Sequence, residues 1–354
     1  MTLCRLQVTD FRCLQSVAID LDSRFTLISG ANASGKTSLL EAIYVLGRGR
    51  SFRTRRLEHL IRRGRERFVV YGEVDVFERQ VSLGVEGSST GIRAKLDGDR
   101  VRSLADLAPM LPVQIIDPEI HRLIEEGPSR RRRFLDWGVF HVEPRFVDDW
   151  QRFQQALKQR NAGLKARQPR AVTAAWDADL VRYGEALSGA RTRYVESLRA
   201  AATGTAQRLL GMSLEIAYRQ GWAQTVGLAE ALAQSWAQDQ ETGATQVGPH
   251  RAELVIRLNE MGVKDRISRG QQKLLAAALL MAQVKLFPQD SPVRPSLLLD
   301  DPAAELDDRR LTGLIEEVSS QSVQLIVTTL HSEFSQFGTP GREYRIEGGE
   351  LSAG

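Results

Sequence analysis

The sequence has few cysteines and no long apolar run. Cys4 and Cys13 are its only cysteines among 354 residues, which excludes a disulfide framework and a cysteine-based zinc site. No apolar stretch approaches the roughly 20 residues that a membrane-spanning helix needs, and the best candidate, 274–284, is too short. The first twelve residues alternate polar and apolar side chains and lack the apolar core of a signal peptide. We therefore expect a protein of the reducing cytoplasm.

Lysine is scarce as well. Only 7 of the 48 basic residues are lysine and the rest are arginine, which suits bidentate contacts with phosphate. The net charge of +4 favours polyanionic partners only mildly, and an arginine bias can also reflect genomic base composition. With 42% hydrophobic and 26% charged residues, the composition indicates a soluble, globular chain of about two domains.

One octet near the N-terminus fits the phosphate-loop template G-x-x-x-x-G-K-[ST] at every fixed position. Its residues are Gly30, Ala31, Asn32, Ala33, Ser34, Gly35, Lys36 and Thr37. Glycines let successive backbone N–H groups point at phosphate oxygens, and a helix that starts directly afterwards adds its positive end. In such a loop Lys36 reaches the β- and γ-phosphates, and the Thr37 hydroxyl binds magnesium.

The flanking residues support this interpretation of the octet. The β-prone run 24–29 precedes it, and apolar residues at helical spacing follow it from 38 to 46, with Gly47 as a stop. The alternative is a Gly/Ser-rich turn that matches the template by chance. A strand before the octet and a helix after it favour the nucleotide site.

A second acidic element lies near the C-terminus. The apolar run 296–299 ends in Asp300 and Asp301, and an apolar strand in a parallel sheet presents its last side chains where ligands bind. Asp300 can hold magnesium there, and Asp301 can orient a water that attacks the γ-phosphate. An apolar run that ends in aspartate is common, so this interpretation depends on the phosphate loop.

A polar cluster opens a predicted helix just upstream, from about 270 to 287. Ser268, Arg269, Gly270 and Gln271 place a hydroxyl and a glycine amide at a helix N-terminus, which is a phosphate-binding chemistry. Read alone, Ser268 is an ordinary N-cap. A second anion site becomes useful if two chains enclose two nucleotides and each chain supplies one element to each site.

These motifs together resemble the ABC-type ATPase heads of the SMC group, and within that group the RecF family of bacterial recombination-repair proteins. The carrying segments are LQVTDFR, GANASGKT, GRGRSFRT, LPVQIIDPE, GPSRRRRFLDWGVFHVEP, VGPHRAEL, ISRGQQK and SLLLDDPAAELDDRR. The resemblance spans nearly the whole chain and implies an α/β fold, an ABC-type phosphate-loop ATPase head with an inserted, mainly helical domain. Residues 1–118 and 246–354 are predicted to form the ATPase domain, and residues 119–245 the helical domain.

The resemblance also implies roles for individual residues. The octet would bind ATP, with Asp300 as the second magnesium ligand and Asp301 and Lys36 as catalytic groups. Ser268, Gly270 and Gln271 would contact the ATP of a partner chain, and Asp307 would act across the dimer. Arg12 would touch the nucleotide of its own subunit.

Family resemblance further implies an ATP-dependent homodimer that hydrolyses ATP slowly and binds single-stranded, gapped and double-stranded DNA. Its implied partners are RecO and RecR, with which it would help load RecA at single-strand gaps. Support of replication forks and of SOS induction would follow. No membrane partner is expected.

The chain departs from the family pattern at several positions, among them Pro302, where a backbone N–H is lost directly after the acid pair. Ala33 stands where a glycine is expected, and alanine tolerates positive φ poorly. Arg269 replaces the glycine of the general ABC signature. Two basic patches, 47–67 with nine arginines and 130–133, could contact DNA phosphates, although charge runs are more often solvated faces.

Other functions remain open at this point. An ABC-type transport ATPase would use the same two nucleotide motifs, and a small-molecule kinase would use the phosphate loop alone. An ATP-binding DNA scaffold without turnover is compatible with Ala33 and with the short Asp301, since ABC enzymes commonly carry glutamate there.

Overall fold

The computed structural model describes residues 1–76, 79–101, 103–259, 261–263, 267–288, 291, 293–304, 308–330 and 337–353. Two compact units emerge from the contacts between residues: Met1–Ile120 with Gln289–Gly354, and His121–Pro288. The boundary near 120 lies close to the predicted one at 118. Residues 246–288 group with the helical unit rather than with the ATPase domain to which the sequence analysis assigned them, because the helix that starts after Ser268 packs along the longest helix of that unit.

The described strands are β1 (Thr2–Phe11), β2 (Leu14–Asp20), β3 (Phe25–Ser29), β4 (Arg67–Val76), β5 (Arg79–Ser88), β6 (Gly91–Leu96), β7 (Asp99–Arg100), β8 (Val113–Ile116), β9 (Leu214–Arg219), β10 (Glu253–Leu258), β11 (Met261–Gly262), β12 (Ser296–Asp300), β13 (Gln324–Thr329), β14 (Arg342–Glu347) and β15 (Glu350–Ala353). The described α-helices are α1 (Lys36–Arg48), α2 (Arg122–Glu125), α3 (Pro128–Val142), α4 (Phe146–Lys165), α5 (Arg170–Thr173), α6 (Asp177–Leu210), α7 (Leu228–Gln234), α8 (Trp236–Thr242), α9 (Arg269–Lys285) and α10 (Asp308–Ser319).

The first unit contains two six-stranded sheets. One is a mainly parallel sheet with the order β15-β14-β3-β13-β12-β8, and the other is an antiparallel sheet with the order β2-β1-β4-β5-β6-β7. Strands β3, β12 and β13 are buried along their whole length, as expected for parallel strands covered on both faces. The α/β fold class is thereby confirmed.

Helix α1 contacts both sheets through residues of β1, β4, β8 and β12. Its side chains are therefore buried almost all round rather than on one face, and the buried set includes Lys36 and Glu41. Gly47 lies so close to β8 that an added Cβ would be 2.5 Å from the carbonyl oxygen of Leu111. The helix that carries the lysine of the phosphate loop is thus held rigidly from two sides.

The second unit is helical around α6, which packs against α4 and α9. Gln168–Pro169 separates two helices, since α4 ends at Lys165 and α5 begins at Arg170. Leucine and tyrosine side chains at helical spacing are buried along α6: Leu180, Tyr183, Leu187, Tyr194 and Leu198. Trp150 of α4, in contrast, is 38% exposed. A three-stranded sheet, β11-β10-β9, completes the unit.

Candidate functional site

The octet 30–37 joins β3 directly to α1, as predicted. Gly35 caps the helix with φ of 117°, and a Cβ on Gly30 would lie 2.4 Å from the carbonyl oxygen of Ile346. Both positions therefore require glycine, the first for its backbone angle and the second for close approach. The turn after β14 supports the loop from behind, since Gly349 N donates to Ser34 O at 2.9 Å.

Lys36 folds back over the loop that precedes it. Its Nζ donates to the carbonyl oxygens of Gly30 at 2.5 Å and Ala31 at 2.9 Å. Burial lowers the pKa of the ammonium group below its ordinary value, and the carboxylates of Asp301 and Asp300 act in the opposite direction. The ammonium group is thus positioned at the mouth of the loop by two carbonyls that an anion can replace or complement.

Ala33 adopts the left-handed backbone conformation, with φ of 62°. The concern raised by the sequence therefore applies, because an alanine holds an angle that glycine adopts without penalty. Its side chain is exposed, as are those of Ala31 and Asn32. The strain therefore lies in the backbone of Ala33.

Thr37 and Asp300 meet although 263 residues separate them in sequence. The Thr37 hydroxyl lies 3.0 and 2.9 Å from the two carboxylate oxygens of Asp300. Thr328, which sequence reasoning did not identify, donates its hydroxyl to the same carboxylate at 2.8 Å. Register explains the contact, since Asp300 of β12 pairs with Thr328 of β13 at the carboxyl edge of the sheet.

Asp301 also has a positive φ, 48°, immediately after β12. Its backbone N–H donates to both the carbonyl and the hydroxyl oxygen of Thr328, at 3.2 and 3.1 Å. These bonds hold the residue in a conformation that aspartate adopts at some cost. Asp300 and Asp301 therefore lie at the carboxyl edge of the parallel sheet, close to Lys36. Asp300 has the extended backbone of a strand, whereas Asp301 has a left-handed backbone.

The loop and the acidic pair fit a nucleotide polyphosphate with magnesium. The Ser34 hydroxyl is buried without a hydrogen-bond partner, so it has a donor free for a phosphate oxygen. Lys36 supplies a cation, while Thr37 and Asp300 bring together a hydroxyl and a carboxylate, the oxygen ligands that magnesium prefers.

Arg12 lies in the turn between β1 and β2, with φ of 56°. Its guanidinium group forms a bidentate ion pair with Glu41 of α1, at 2.8 and 2.7 Å. The Glu41 carboxylate is fully buried. Sequence reasoning missed Glu41, because an acidic residue inside a helical pattern gives no sign that it is buried.

The predicted signature lies at the start of α9, in the second unit. Ser268 caps the helix in a reciprocal capping box: its hydroxyl accepts from Gln271 N at 3.3 Å, and its N–H donates to the Gln271 side chain at 2.9 Å. The Arg269 guanidinium lies 3.1 Å from the His121 ring. Gly270 is in the first turn. Asp307 lies outside the described residues.

The two basic patches differ in their contacts. In the first patch, four arginines form ion pairs: Arg53 with Glu41, Arg62 and Arg65 with Asp10, and Arg67 with Glu86. Arg55, Arg56 and Arg63 are exposed on the surface of the same segment. The first patch therefore combines anchored arginines with arginines that face solvent.

The second patch is built into the helical unit. Arg131 forms a bidentate pair with Glu253 of β10, at 2.8 and 2.9 Å, and also donates to the carbonyls of Ile124 and Glu126. Arg132 donates to the carbonyl of Ala252 at 2.7 Å. These contacts tie α3 to β10, so this patch is structural rather than a free phosphate-binding face.

The sequence matches one family model and curated relatives over nearly its whole length. The RecF/RecN/SMC N terminal domain family matches residues 2–344. A "DNA replication and repair protein RecF" from Pseudomonas entomophila is 40% identical over 360 residues, which cover 99% of this chain and 98% of the relative. Its counterpart from Yersinia pestis is 38% identical over 355 residues, with the same coverage of both chains.

Solved structures of a RecF protein and of an SMC head are also similar to this chain. The structure described as the recombination mediator protein RecF-ATP in the RecFOR pathway superposes with a TM-score of 0.89 at 27% identity, covering 99% of this chain and 97% of that one. An SmcHead bound to the C-winged helix domain of ScpA matches in fold, with a TM-score of 0.62 at 17% identity over 100% of this chain and 97% of the other.

Proposed function

Because this chain belongs to the RecF family of DNA replication and repair proteins, we propose that it is an ATP-dependent DNA-binding protein of recombinational repair and replication restart. The observation that carries the proposal is the meeting of Thr37 with Asp300 at the mouth of the phosphate loop. It joins the two nucleotide motifs into one site.

Each residue of that site would have a separate role in binding or hydrolysing ATP. Residues 30–37 would hold the phosphates of ATP through backbone N–H groups, Lys36 Nζ and the Ser34 hydroxyl. Thr37 and Asp300 would hold magnesium, which when bound neutralises phosphate charge. Asp301 would serve as the general base that accepts a proton from water, and Arg12 would complete the nucleotide site from the β1–β2 turn.

A second copy of the chain would complete this site. The capping box uses the acceptor side of the Ser268 hydroxyl, which leaves its proton for a phosphate oxygen. Gly270 and Gln271 add the first turn of α9, with the positive end of its helix dipole. We assign Asp307 a role across this dimer on family resemblance alone.

DNA would be the polyanion that this family member binds, single-stranded, gapped or double-stranded. Arg55, Arg56 and Arg63 support this, because they are exposed within a segment in which four other arginines form ion pairs. One solved relative is described as a recombination mediator of the RecFOR pathway. We extend this to RecO and RecR as partners, to RecA loading and SOS induction as outcomes, and to the cytoplasm as location.

The proposal leaves little support for the competing functions. The transport ATPase and the kinase have no counterpart among the named sequence relatives, each of which is described as a DNA replication and repair protein. Among the described residues, no helix is both long and apolar enough to cross a membrane. A scaffold that binds ATP without turnover keeps support from the strained Ala33 and the short Asp301.

ATP hydrolysis measured with and without gapped DNA tests the proposal. We expect slow hydrolysis by the wild type that gapped DNA accelerates, and a loss of about tenfold or more in Lys36→Arg, because guanidinium cannot occupy the compact ammonium position. Lys95→Arg, an exposed lysine on β6, is the matched control and should keep the wild-type rate. Binding of both ligands without any hydrolysis would favour the scaffold instead.

A further inference from the structure

Glu41 is a buried carboxylate that serves three partners from different parts of the chain. It receives both arms of the Arg12 guanidinium, accepts a short hydrogen bond from the Ser51 hydroxyl, and has Arg53 Nη1 at 3.6 Å. Its side chain is fully buried, whereas that of Arg53 is 46% exposed. A buried carboxylate of this kind is costly without its partners, so the cluster acts as one unit.

The position of Glu41 on α1 links this cluster to the phosphate loop. Thr37, Glu41, Tyr44 and Arg48 follow one another at steps of four, three and four, so they share one face of the helix. Thr37 is at the nucleotide end. Further along, the Tyr44 ring packs edge-on against Phe52 with centroids 5.3 Å apart. This face therefore runs from the nucleotide site to the start of the basic segment.

Ser51 determines how the basic segment begins. Its hydroxyl donates to Glu41 and accepts from the N–H groups of Arg53, at 2.9 Å, and Thr54, at 3.0 Å. The Ser51 hydroxyl oxygen thus stabilises the turn that contains Arg53. Glu41 orients this turn through its contacts with Ser51 and Arg53.

The other end of the segment is tied to the turn that carries Arg12. Arg12 N donates to Leu60 O at 2.8 Å, and Arg62 N donates to Asp10 O at 2.9 Å. Asp10 and Arg12 both have positive φ, and these bonds hold them there. Through Arg12, Glu41 therefore contacts both ends of the segment 51–62.

We propose that Glu41 is a positioning residue that couples nucleotide binding by residues 30–37 to phosphate binding by the basic segment. The inference rests on the proposed function and identifies the residue through which its two ligands communicate. In this proposal, any shift of α1 when Lys36 and Thr37 bind a nucleotide is transmitted to Glu41, which lies one turn further along the same helix. Glu41 then moves Arg12, Ser51 and Arg53. Such coupling is reciprocal, so DNA must tighten nucleotide binding by the same factor.

The test measures the dissociation constant of a fluorescent ATP analogue with magnesium, without and with saturating duplex DNA. The ratio of the two constants is the coupling. We expect about fivefold or more for the wild type, in the usual range for coupled sites. Ser51→Ala and Arg53→Gln should bring the ratio below about twofold while changing the DNA-free constant less than about threefold. Both substitutions leave the buried Arg12–Glu41 pair intact, so both variants are expected to fold.

Two further variants distinguish a positioning role of Glu41 from the effect of losing one positive charge and from a purely structural role. Arg56→Gln removes the same charge from the same segment, so it should weaken DNA binding as Arg53→Gln does but keep the wild-type ratio. Glu41→Asp keeps the charge and shortens the reach. In that background Ser51→Ala should reduce the ratio no further, since both changes break one connection.

The outcomes are distinguishable. A wild type that binds both ligands with a ratio of one overturns the coupling and leaves the proposed function standing. Variants that keep the wild-type ratio while unfolding at lower temperature show that Glu41 is structural only, and they also overturn it. A wild type that binds no DNA overturns the proposed function and this inference with it.

Discussion

At the scale of single residues, several non-glycine residues near the predicted nucleotide site have positive φ, an angle that residues with a Cβ rarely adopt. Seven non-glycine residues have positive φ in the described part of the chain. Four of them, Asp10, Arg12, Ala33 and Asp301, lie in the phosphate loop, after β12 or in the turn that holds Arg12. Strain of this kind persists where surrounding hydrogen bonds over-determine the backbone, and it is concentrated here around the nucleotide site.

Ala33→Gly tests the strain at its simplest position. Removing the left-handed strain is worth about 1–2 kcal/mol, against which the larger unfolded-state freedom of glycine costs about 0.4–1 kcal/mol. We therefore expect the free energy of unfolding in denaturant to rise by about 1 kcal/mol or less, with ATP affinity equal or tighter.

Ala31→Gly, at an exposed loop position without positive φ, is the matched control and should lose stability. A decrease for Ala33→Gly as large as that of the control would show that φ at this position carries no cost.

At the scale of elements, buried arginines join the segments of the helical unit. Arg160 of α4 is fully buried and bonds to Asp177 at 2.7 Å, Asp239 at 2.6 Å and Thr245 at 2.8 Å. Thr245 O in turn lies 2.9 Å from Nε2 of His250. One arginine thus links α4, the start of α6, α8 and the loop that leads into β10, and His250 lies in that same loop.

His250 predicts how this unit responds to acid. Burial lowers its pKa from 6.5 to about 4, although the bond to Thr245 acts in the opposite direction. Between these values the unfolded state binds a proton that the folded state does not, so stability falls as pH decreases below about 6.5. Above that value the ring is neutral in both states. The expected loss from this residue between pH 7 and pH 5 is about 2 kcal/mol.

Denaturant unfolding at pH 7 and pH 5 measures this effect, with His250→Gln compared to wild type. The substitution should reduce the difference between the two pH values by most of that amount, whatever it costs at pH 7. His59→Gln, on an exposed histidine, is the control and should keep the wild-type difference. An unchanged difference in His250→Gln would mean that His250 is accessible to protons in the folded state.

At the scale of the whole molecule, the predicted nucleotide-binding elements are divided between the two compact units. Lys36, Thr37 and Asp300 belong to the first unit, and Ser268 belongs to the second. Each chain carries both sets, which is the arrangement that a head-to-tail pair of chains requires. A closed dimer of two identical chains encloses two equivalent sites.

Sedimentation with and without ATP and magnesium tests this assembly. The wild type should change from the mass of one 39.5 kDa chain to twice that mass when ATP is present. Lys36→Arg should stay monomeric because it loses phosphate contacts, and Ser268→Arg because it places a bulky side chain at the helix start. Ser197→Arg, on an exposed position of α6, controls for the added charge and should dimerise. A wild-type mass that ignores ATP contradicts the dimer.

The elements that the sequence predicted are those that short runs of neighbouring residues specify. The octet 30–37, the strand 296–300 and the helix start at Ser268 are each specified by neighbouring residues, so their spacing predicted the elements that the structure contains. The hairpin of β14 and β15 was not predicted. Its strands are short and charged, and they become strands because β14 pairs with the buried β3.

Charged residues show the limit of sequence reasoning more clearly. Arg131 and Arg56 both stand in arginine runs, yet Arg131 is locked to Glu253 while Arg56 is exposed. A run of charges looks the same in sequence whether its members face solvent or a buried carboxylate. Only a contact over 122 residues of chain distinguishes them.

By itself the sequence determined the family, the nucleotide motifs and the strands and helices that carry those motifs, since all of these depend on residues close together along the chain. Tertiary structure alone decided that Thr328 joins Asp300, that Glu41 is buried with Arg12 and Ser51, and that Arg131 is structural. The physical reason is that the cost of burying a charge depends on partners that folding brings from distant positions.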